Sequence, residues 1–101
     1  MYLSFTLWGG GTLANGIPHF INGISGNRFQ SPFASPPTIG ESSPTVNVLW
    51  GIFNLVAGAL LVFGIGDFTP GINADTGVTV LGAVLASILL SLHFGKVRNG
   101  R

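Results

Sequence analysis

The feature that most constrains this sequence is an uncharged run from Val46 to Ile65. Its 20 residues would form about 30 Å of α-helix, which matches the thickness of the hydrocarbon core of a bilayer. Ser43 is a favourable N-cap, and Pro44 suits the first position of a helix. The run therefore predicts a transmembrane helix over residues 44–65.

The composition of the whole chain agrees with a lipid environment. Charged residues make up 7% of the 101 residues, against about 25% in an ordinary soluble domain. A soluble protein of this size has to cover a large surface with polar groups, whereas a lipid-facing surface needs none. The net charge of +1 is too small for nucleic-acid binding, which needs a basic patch. We therefore expect the lipid bilayer, and no nucleic acid, as a partner.

Two further segments are apolar enough to predict helices. The first covers residues 2–17 and ends before Pro18, because proline lacks the backbone donor that continues a helix. Its length of about 24 Å is short of the hydrocarbon core, so this helix must tilt little, thin the bilayer or continue past Pro18. The second covers residues 76–94; Asp75 or Thr76 can cap its start, and basic residues follow its end. The expected fold is an all-α membrane protein with one domain over residues 1–101 and three transmembrane helices, at about 2–17, 44–65 and 76–94.

The distribution of charge predicts the orientation of these spans. With three spans, one side of the membrane holds all the basic residues, which are Arg28, Lys96, Arg98 and Arg101. The opposite side holds Asp67 and Asp75 and no basic residue. Because cytoplasmic loops are enriched in Lys and Arg, we expect a cytoplasmic C-terminus and an outside N-terminus.

The connection between the first two helices, residues 18–43, is long and carries several aromatic side chains. Disordered linkers lack such residues, so we expect an ordered loop that either folds against the helix ends or re-enters the membrane. If the loop lines a pathway, its best polar candidates are Asn22, Ser25 and Asn27. If it docks a partner, phenylalanines such as Phe33 would carry the effect.

Small and polar residues recur at helical spacing in the predicted spans. Such faces allow close helix packing, and an asparagine in hydrocarbon seeks a hydrogen-bonding partner. We expect helix two to lie at the centre of the helix contacts. The residues concerned are Asn47, Gly51, Asn54 and Gly58 in helix two, Gly82 and Ala86 in helix three, and Asn15 in helix one.

These faces lead to a first hypothesis for function. It is a non-enzymatic membrane protein that assembles as a homo-oligomer or joins a larger membrane complex, since three helices enclose little interior. An alternative is an oligomeric channel or small-solute transporter, in which Asn15, Asn54 and Thr12 line a polar pathway. No catalytic motif is present, so we expect no enzyme.

His19 and His93 are the two histidines of the chain, and the predicted topology places both near the cytoplasmic ends of their helices. They could meet and hold a metal or a haem, which gives a third alternative, a cofactor-holding subunit. Metal sites usually need three or four ligands, and the chain has no cysteine. We therefore expect no cofactor and no metal, with each histidine bonded to a backbone carbonyl or capping a helix end.

Three stretches of the sequence resemble a group of small uncharacterised bacterial membrane proteins. They are the run from Pro18 to Gly26 with the pattern PHFxNGxSG, the run SPFASPP at 31–37, and the run NVLWG at 47–51. The resemblance implies a protein of the bacterial inner (cytoplasmic) membrane. It implies no activity.

Overall fold

A computed structural model describes residues 2–65, 71 and 73–100. It contains three helices, α1 (Tyr2–Ile24), α2 (Pro44–Ala59) and α3 (Ala74–Arg98), and α2 continues as a π-helical segment over Leu60–Ile65. Between α1 and α2 the chain forms an antiparallel pair of short strands, β1 (Phe29–Gln30) and β2 (Glu41–Ser42). The predicted mostly helical fold is confirmed. Asp67 and Arg101, used above to orient the chain, lie outside the described residues.

The helix ends follow local capping chemistry. Ser43 caps α2 by accepting a hydrogen bond from the amide of Val46 at 3.2 Å, as its sequence position predicted. The cap of α3 is Asn73, which accepts from the amide of Thr76 at 3.0 Å. The prediction of a cap at Asp75 or Thr76 was therefore wrong, because the side chain of Asn73 reaches the first free amide groups from outside the helix.

The predicted end of the first helix at residue 17 was also wrong. α1 continues through Pro18 to Ile24, and its 23 residues correspond to about 34 Å. Proline removes one backbone donor, but α1 packs closely against α2 on both sides of Pro18. A Cβ on Gly16 would lie 3.0 Å from the carbonyl oxygen of Gly51, and a Cβ on Gly51 would lie 2.6 Å from the amide nitrogen of Phe20. The connection to α2 is accordingly shorter than predicted and covers residues 25–43.

The central helix is α1, not helix two as we expected. α1 packs against both α2 and α3, whereas α2 and α3 have few contacts with each other in the described part of the chain. Glycines on two faces of α1 explain this position. A Cβ on Gly10 would collide with the backbone carbonyl of Thr79 in α3, and a Cβ on Gly16 would lie 3.0 Å from the carbonyl oxygen of Gly51 in α2.

The polarity of the fold is reversed relative to a water-soluble protein. Among the described residues, the buried hydrophobic side chains are Ala14, Phe29 and Val62, while the buried side chains that are polar or charged are more numerous. Large apolar side chains cover the outside of all three helices. Two segments, Pro44–Gly64 and Ala74–Arg98, are long and apolar enough to cross a membrane.

The segment between α1 and α2 is folded by its own hydrogen bonds. The amide of Thr38 donates to the carbonyl of Ser31 at 2.8 Å, and the amide of Gly40 donates to the carbonyl of Pro36 at 2.7 Å. The hydroxyls of Ser31 and Ser42 also bond to each other across the strand pair. We call residues 25–43 the hairpin segment.

We expect hydrogen exchange to show this order directly. The amides of Thr38 and Gly40 should exchange slowly in the intact protein, because each is bonded to a carbonyl within the hairpin segment. Exchange measured by mass spectrometry or NMR in detergent checks the expectation. Fast exchange throughout residues 29–42 would instead show a flexible linker.

Candidate functional site: a polar cavity beneath the hairpin segment

The site is organised around Asn47, which lies in the first turn of α2 and is fully buried. Its Nδ2 atom donates to three backbone carbonyl oxygens, those of Phe29 at 3.1 Å, Ser42 at 3.2 Å and Ser43 at 3.1 Å. Carbonyl oxygens only accept hydrogen bonds, so the amide group must turn its nitrogen towards them. The orientation of the Asn47 side chain is thereby determined, and its oxygen faces α1.

The oxygen of Asn47 in turn determines the tautomer of His19. The Nδ1 atom of His19 lies 2.8 Å from Oδ1 of Asn47. Because this oxygen can only accept, Nδ1 of His19 must carry the proton. The Nε2 atom of a neutral His19 is then an acceptor, and it has no hydrogen-bonding partner among the described residues.

A second pair of asparagines lies next to the first. Nδ2 of Asn54 donates to the carbonyl of Trp50 at 2.9 Å, so its oxygen faces α1 and accepts from Nδ2 of Asn15 at 3.0 Å. Asn15 and His19 are four residues apart and occupy the same face of α1. The Oδ1 atom of Asn15 is left as a second acceptor without a partner in the described part of the chain.

Asn15 and His19, which the asparagines of α2 orient, border a cavity of about 250 Å³ between α1, α2, α3 and the hairpin segment. Its lining includes Asn15 and His19 from α1, Trp50 from α2, and Leu90, His93 and Phe94 from α3. The hairpin segment contributes Gln30, Ser31, Pro32 and Thr38. The site therefore combines side chains from every helix.

Four rings contribute to the walls of the cavity, those of His19, Trp50, His93 and Phe94. The rings of His19 and His93 both pack edge-on against Phe94, with centroids 6.2 Å and 5.2 Å away. Trp50 packs edge-on against His19 at 6.4 Å. The indole Nε1 of Trp50 is buried and has no hydrogen-bonding partner in the described residues. Buried donors are normally paired, so this N–H is an exception within the site.

The hairpin segment is tied to α3 at the edge of the cavity. The Nε2 atom of His93 donates to the carbonyl of Thr38 at 2.9 Å. Arg98 donates to Oε1 of Gln30 at 3.0 Å, lies 3.6 Å from the carboxylate of Glu41, and stacks over Phe29 at 5.0 Å. An exposed ion pair alone contributes little to stability, but these contacts together hold the hairpin segment in place over the cavity.

The structure places the predicted packing residues at contacts within the chain. Gly51, Gly58, Asn47 and Asn54 are the buried residues of α2, and the asparagines bond to α1 as described above. In α3, a Cβ on Gly82 would collide with the carbonyl of Leu7 in α1. A Cβ on Gly11 would lie 3.5 Å from the Cβ of Ala86, which places Ala86 at the same interface.

Of the predicted loop residues, only His19 lines the cavity. Asn22 lies within α1 and donates to the carbonyl of Pro18 at 2.7 Å. Ser25 and Asn27 are exposed. Phe33 is exposed as well, and its ring packs edge-on against the outer side of the site, 5.1 Å from Trp50.

Sequence reasoning did not identify Trp50 or the residues of the hairpin segment that line the cavity. Trp50 follows Asn47 by three residues and so lies on a neighbouring part of the same helix face, which could have indicated it. Gln30 and Ser31 carry no such indication, because their positions depend on how the hairpin segment folds back over the helices.

The two histidines are brought to one cavity, but they do not bond to each other in the described structure. His19 bonds to an asparagine oxygen and His93 to a backbone carbonyl. No three side chains of His, Cys, Asp or Glu come together within the described residues. The absence of a metal or haem stays a prediction.

No family model, curated protein or solved structure matches this chain. The resemblance to small bacterial membrane proteins therefore stays a prediction, and the function has to be inferred from the site itself.

Proposed function

We propose that this chain is a three-span integral membrane protein that binds a small molecule in the polar cavity beneath its hairpin segment. The observation that carries the proposal is the reversed polarity of the fold. Apolar side chains face outwards, while polar side chains from α1 and α2 are buried and end at a cavity with unpaired hydrogen-bonding atoms.

The outer surface supports the membrane location. Many leucine, valine, isoleucine and phenylalanine side chains on α2 and α3 are about half exposed or more. Moving their exposed parts from water into lipid is favourable, since full transfer of such a side chain is worth roughly 1.5–3 kcal/mol. Polar side chains at the helix surfaces donate hydrogen bonds to backbone carbonyls of their own helix. Thr12 donates to the carbonyl of Trp8 and Ser87 to that of Ala83, as is needed in hydrocarbon.

We include α1 as the third span although it is less apolar than the other two helices. Its polar residues, Asn15 and His19, face protein rather than lipid, since they bond to Asn54 and Asn47 of α2. A length of about 34 Å suffices to cross the hydrocarbon core. Polar side chains inside a membrane helix are tolerated where a neighbouring helix satisfies them.

The charges support an orientation for the proposed spans. Arg28, Lys96 and Arg98 lie at the end of the molecule that carries the hairpin segment, and Asp75 lies at the start of α3, at the other end. The positive-inside rule then places the hairpin segment and the C-terminus in the cytoplasm of a bacterial inner membrane. In this arrangement the hairpin segment lies at the membrane surface and does not re-enter the bilayer.

The geometry favours binding over a pathway through one copy of the chain. Beyond the two asparagines, the interface of α1 and α2 is closed by Val62, which is 1% exposed, and a Cβ on Gly9 would lie 2.5 Å from its Cγ2. The polar face of α2, which led us to expect assembly with other chains, packs against α1 of the same chain. Homo-oligomerisation, or membership of a larger membrane complex, stays a prediction. The polar residues of α2 no longer argue for it, because they have partners within the chain.

The topology is tested by reporters fused to the C-terminus. A cytoplasm-active reporter such as a fluorescent protein should work after residue 101, while a periplasm-active phosphatase should not, because the basic residues stay inside. The reciprocal fusion, with the phosphatase inserted between α2 and α3, serves as the control. Phosphatase activity from the C-terminal fusion would contradict the proposed three spans.

The binding function is tested by native mass spectrometry of protein purified in mild detergent. We expect a small-molecule adduct that disappears in Leu90→Phe, because Leu90 lines the cavity and a larger ring would occupy it. Leu89→Phe is the matched control, since Leu89 is exposed on the same helix. An adduct that is equally abundant in both variants would place the bound molecule outside the cavity.

A further inference from the structure

The atoms that the fold leaves unpaired restrict what the cavity can bind. Two acceptors come from α1, Nε2 of His19 and Oδ1 of Asn15, and a third is Nδ1 of His93, whose Nε2 donates to the carbonyl of Thr38. The side chains of Gln30 and Ser31 are occupied: Gln30 bonds to Arg98 and Glu41, and Ser31 bonds to Ser42 and to the amide of Phe33. Because acceptors predominate among the unpaired atoms, a complementary ligand needs hydrogen-bond donors.

The geometry points to a neutral, single-ring hydroquinone, or a phenol of similar size, as the ligand of this cavity. Each hydroxyl can donate to one of the acceptors, such as His19 or Asn15. This inference rests on the proposed binding function and names the chemical class of the ligand.

The size and walls of the cavity agree with this class. A cavity of about 150 Å³ holds a benzene molecule, so about 250 Å³ accommodates one ring with its substituents. The rings of Trp50, Phe94 and His19 offer edges and faces for the offset and edge-to-face contacts that aromatic pairs prefer.

The charges around the cavity favour a neutral molecule. Arg98 and Glu41, which bond to Gln30 of the lining, also contact each other. None of the described lining residues is Asp, Glu, Lys or Arg, so a charged ligand would lose hydration without an opposite charge in the lining to compensate it. A neutral hydroxyl group supplies a hydrogen-bond donor without the cost of removing a charge from water.

The test uses the fluorescence of Trp50 in the full-length protein. The chain has two tryptophans, and Trp8 is 69% exposed on α1, so Trp8→Phe leaves Trp50 as the only indole. Titration with methylhydroquinone should change the Trp50 emission in a saturable way. In the reverse variant, Trp50→Phe, the emission of Trp8 should respond without saturation.

The role of the hydroxyl groups is tested with a matched ligand. The dimethyl ether of methylhydroquinone has the same ring and keeps its acceptor oxygens but cannot donate. It should bind at least about tenfold more weakly, because each buried acceptor left unpaired costs affinity. Equal binding of the two compounds would overturn the proposed class.

The role of His19 is tested with His19→Asn in the Trp8→Phe background. An asparagine amide can still donate to Asn47, as Nδ1 does, but it does not provide the acceptor at the position of Nε2. We expect affinity for methylhydroquinone to fall about tenfold while the melting temperature of the unliganded protein changes little. If His19→Asn unfolds the protein, the affinity for methylhydroquinone is compared between Leu90→Phe, which fills the cavity, and Leu89→Phe, which does not.

The experiments distinguish failure of the proposed ligand class from failure of the proposed binding function. If methylhydroquinone does not bind, but native mass spectrometry shows an adduct that Leu90→Phe removes, the ligand class is wrong and the binding function stands. If methylhydroquinone binds equally to His19→Asn, Leu90→Phe and the parent, the cavity is not its site, and this inference is overturned.

Discussion

Replacement of Asn47 by leucine should destabilise the protein by about 3 kcal/mol or more. The side chain is fully buried and serves the carbonyls of Phe29, Ser42 and Ser43 as well as the imidazole of His19. Leucine has a similar size but no polar atoms, so the carbonyls of Phe29 and Ser42 and the imidazole of His19 would lose this partner, each at a cost of about 1–3 kcal/mol before relaxation. The carbonyl of Ser43 would keep its hydrogen bond from the backbone amide at position 47. Thermal or denaturant unfolding in detergent measures the change.

The matched control is Asn27→Leu, in the hairpin segment. Asn27 is exposed, and a surface substitution of this kind usually changes stability by less than about 0.5 kcal/mol. Hydrogen exchange gives a second measurement, because loss of Asn47 should release β1 and β2 before the helices. Equal melting temperatures for the two variants would show that the Asn47 network does not hold the hairpin segment.

Replacement of Gly82 by leucine should separate α3 from α1. A Cβ at this position would collide with the backbone carbonyl of Leu7, and backbone cannot move aside as a flexible side chain can. Overpacking of this kind costs typically 1–3 kcal/mol and more where the backbone itself must shift. We expect the upper end of this range, measured as the free energy of unfolding or the melting temperature.

Gly95→Leu is the control within the same helix. Nothing lies within 4 Å of the position that its Cβ would occupy, and leucine favours helix over glycine by nearly 1 kcal/mol. This variant should therefore be neutral or slightly stabilised. A Gly82→Leu protein as stable as Gly95→Leu would contradict the close packing of α3 on α1.

Several features of the fold followed from local chemistry. The uncharged run from Val46 to Ile65 and the pair Ser43-Pro44 predicted the start of α2 to the residue, because capping involves neighbours in the chain. The spacing of Asn47, Gly51, Asn54 and Gly58 also predicted one face, which the structure shows buried.

Other features could not be predicted locally. Proline ordinarily ends a helix, and Pro18 does not do so here because the close packing of α1 against α2 offsets one lost hydrogen bond. The central position of α1 depends on glycines on two of its faces, one towards α2 and one towards α3. A search of the sequence for one face of small residues does not detect this arrangement. Trp50 becomes part of a site only because His19 and Phe94 approach it from other helices.

The sequence by itself determined that the chain is helical, apolar on the outside and asymmetric in charge, since these properties depend on composition and on spacing along one segment. Only the tertiary structure decided which polar atoms pair and which stay unpaired. Three carbonyls orient the Asn47 amide, the amide oxygen accepts from His19 and so favours the tautomer with the proton on Nδ1, and the Nε2 lone pair is left for a ligand. Each step depends on groups that the fold brings together from distant parts of the chain.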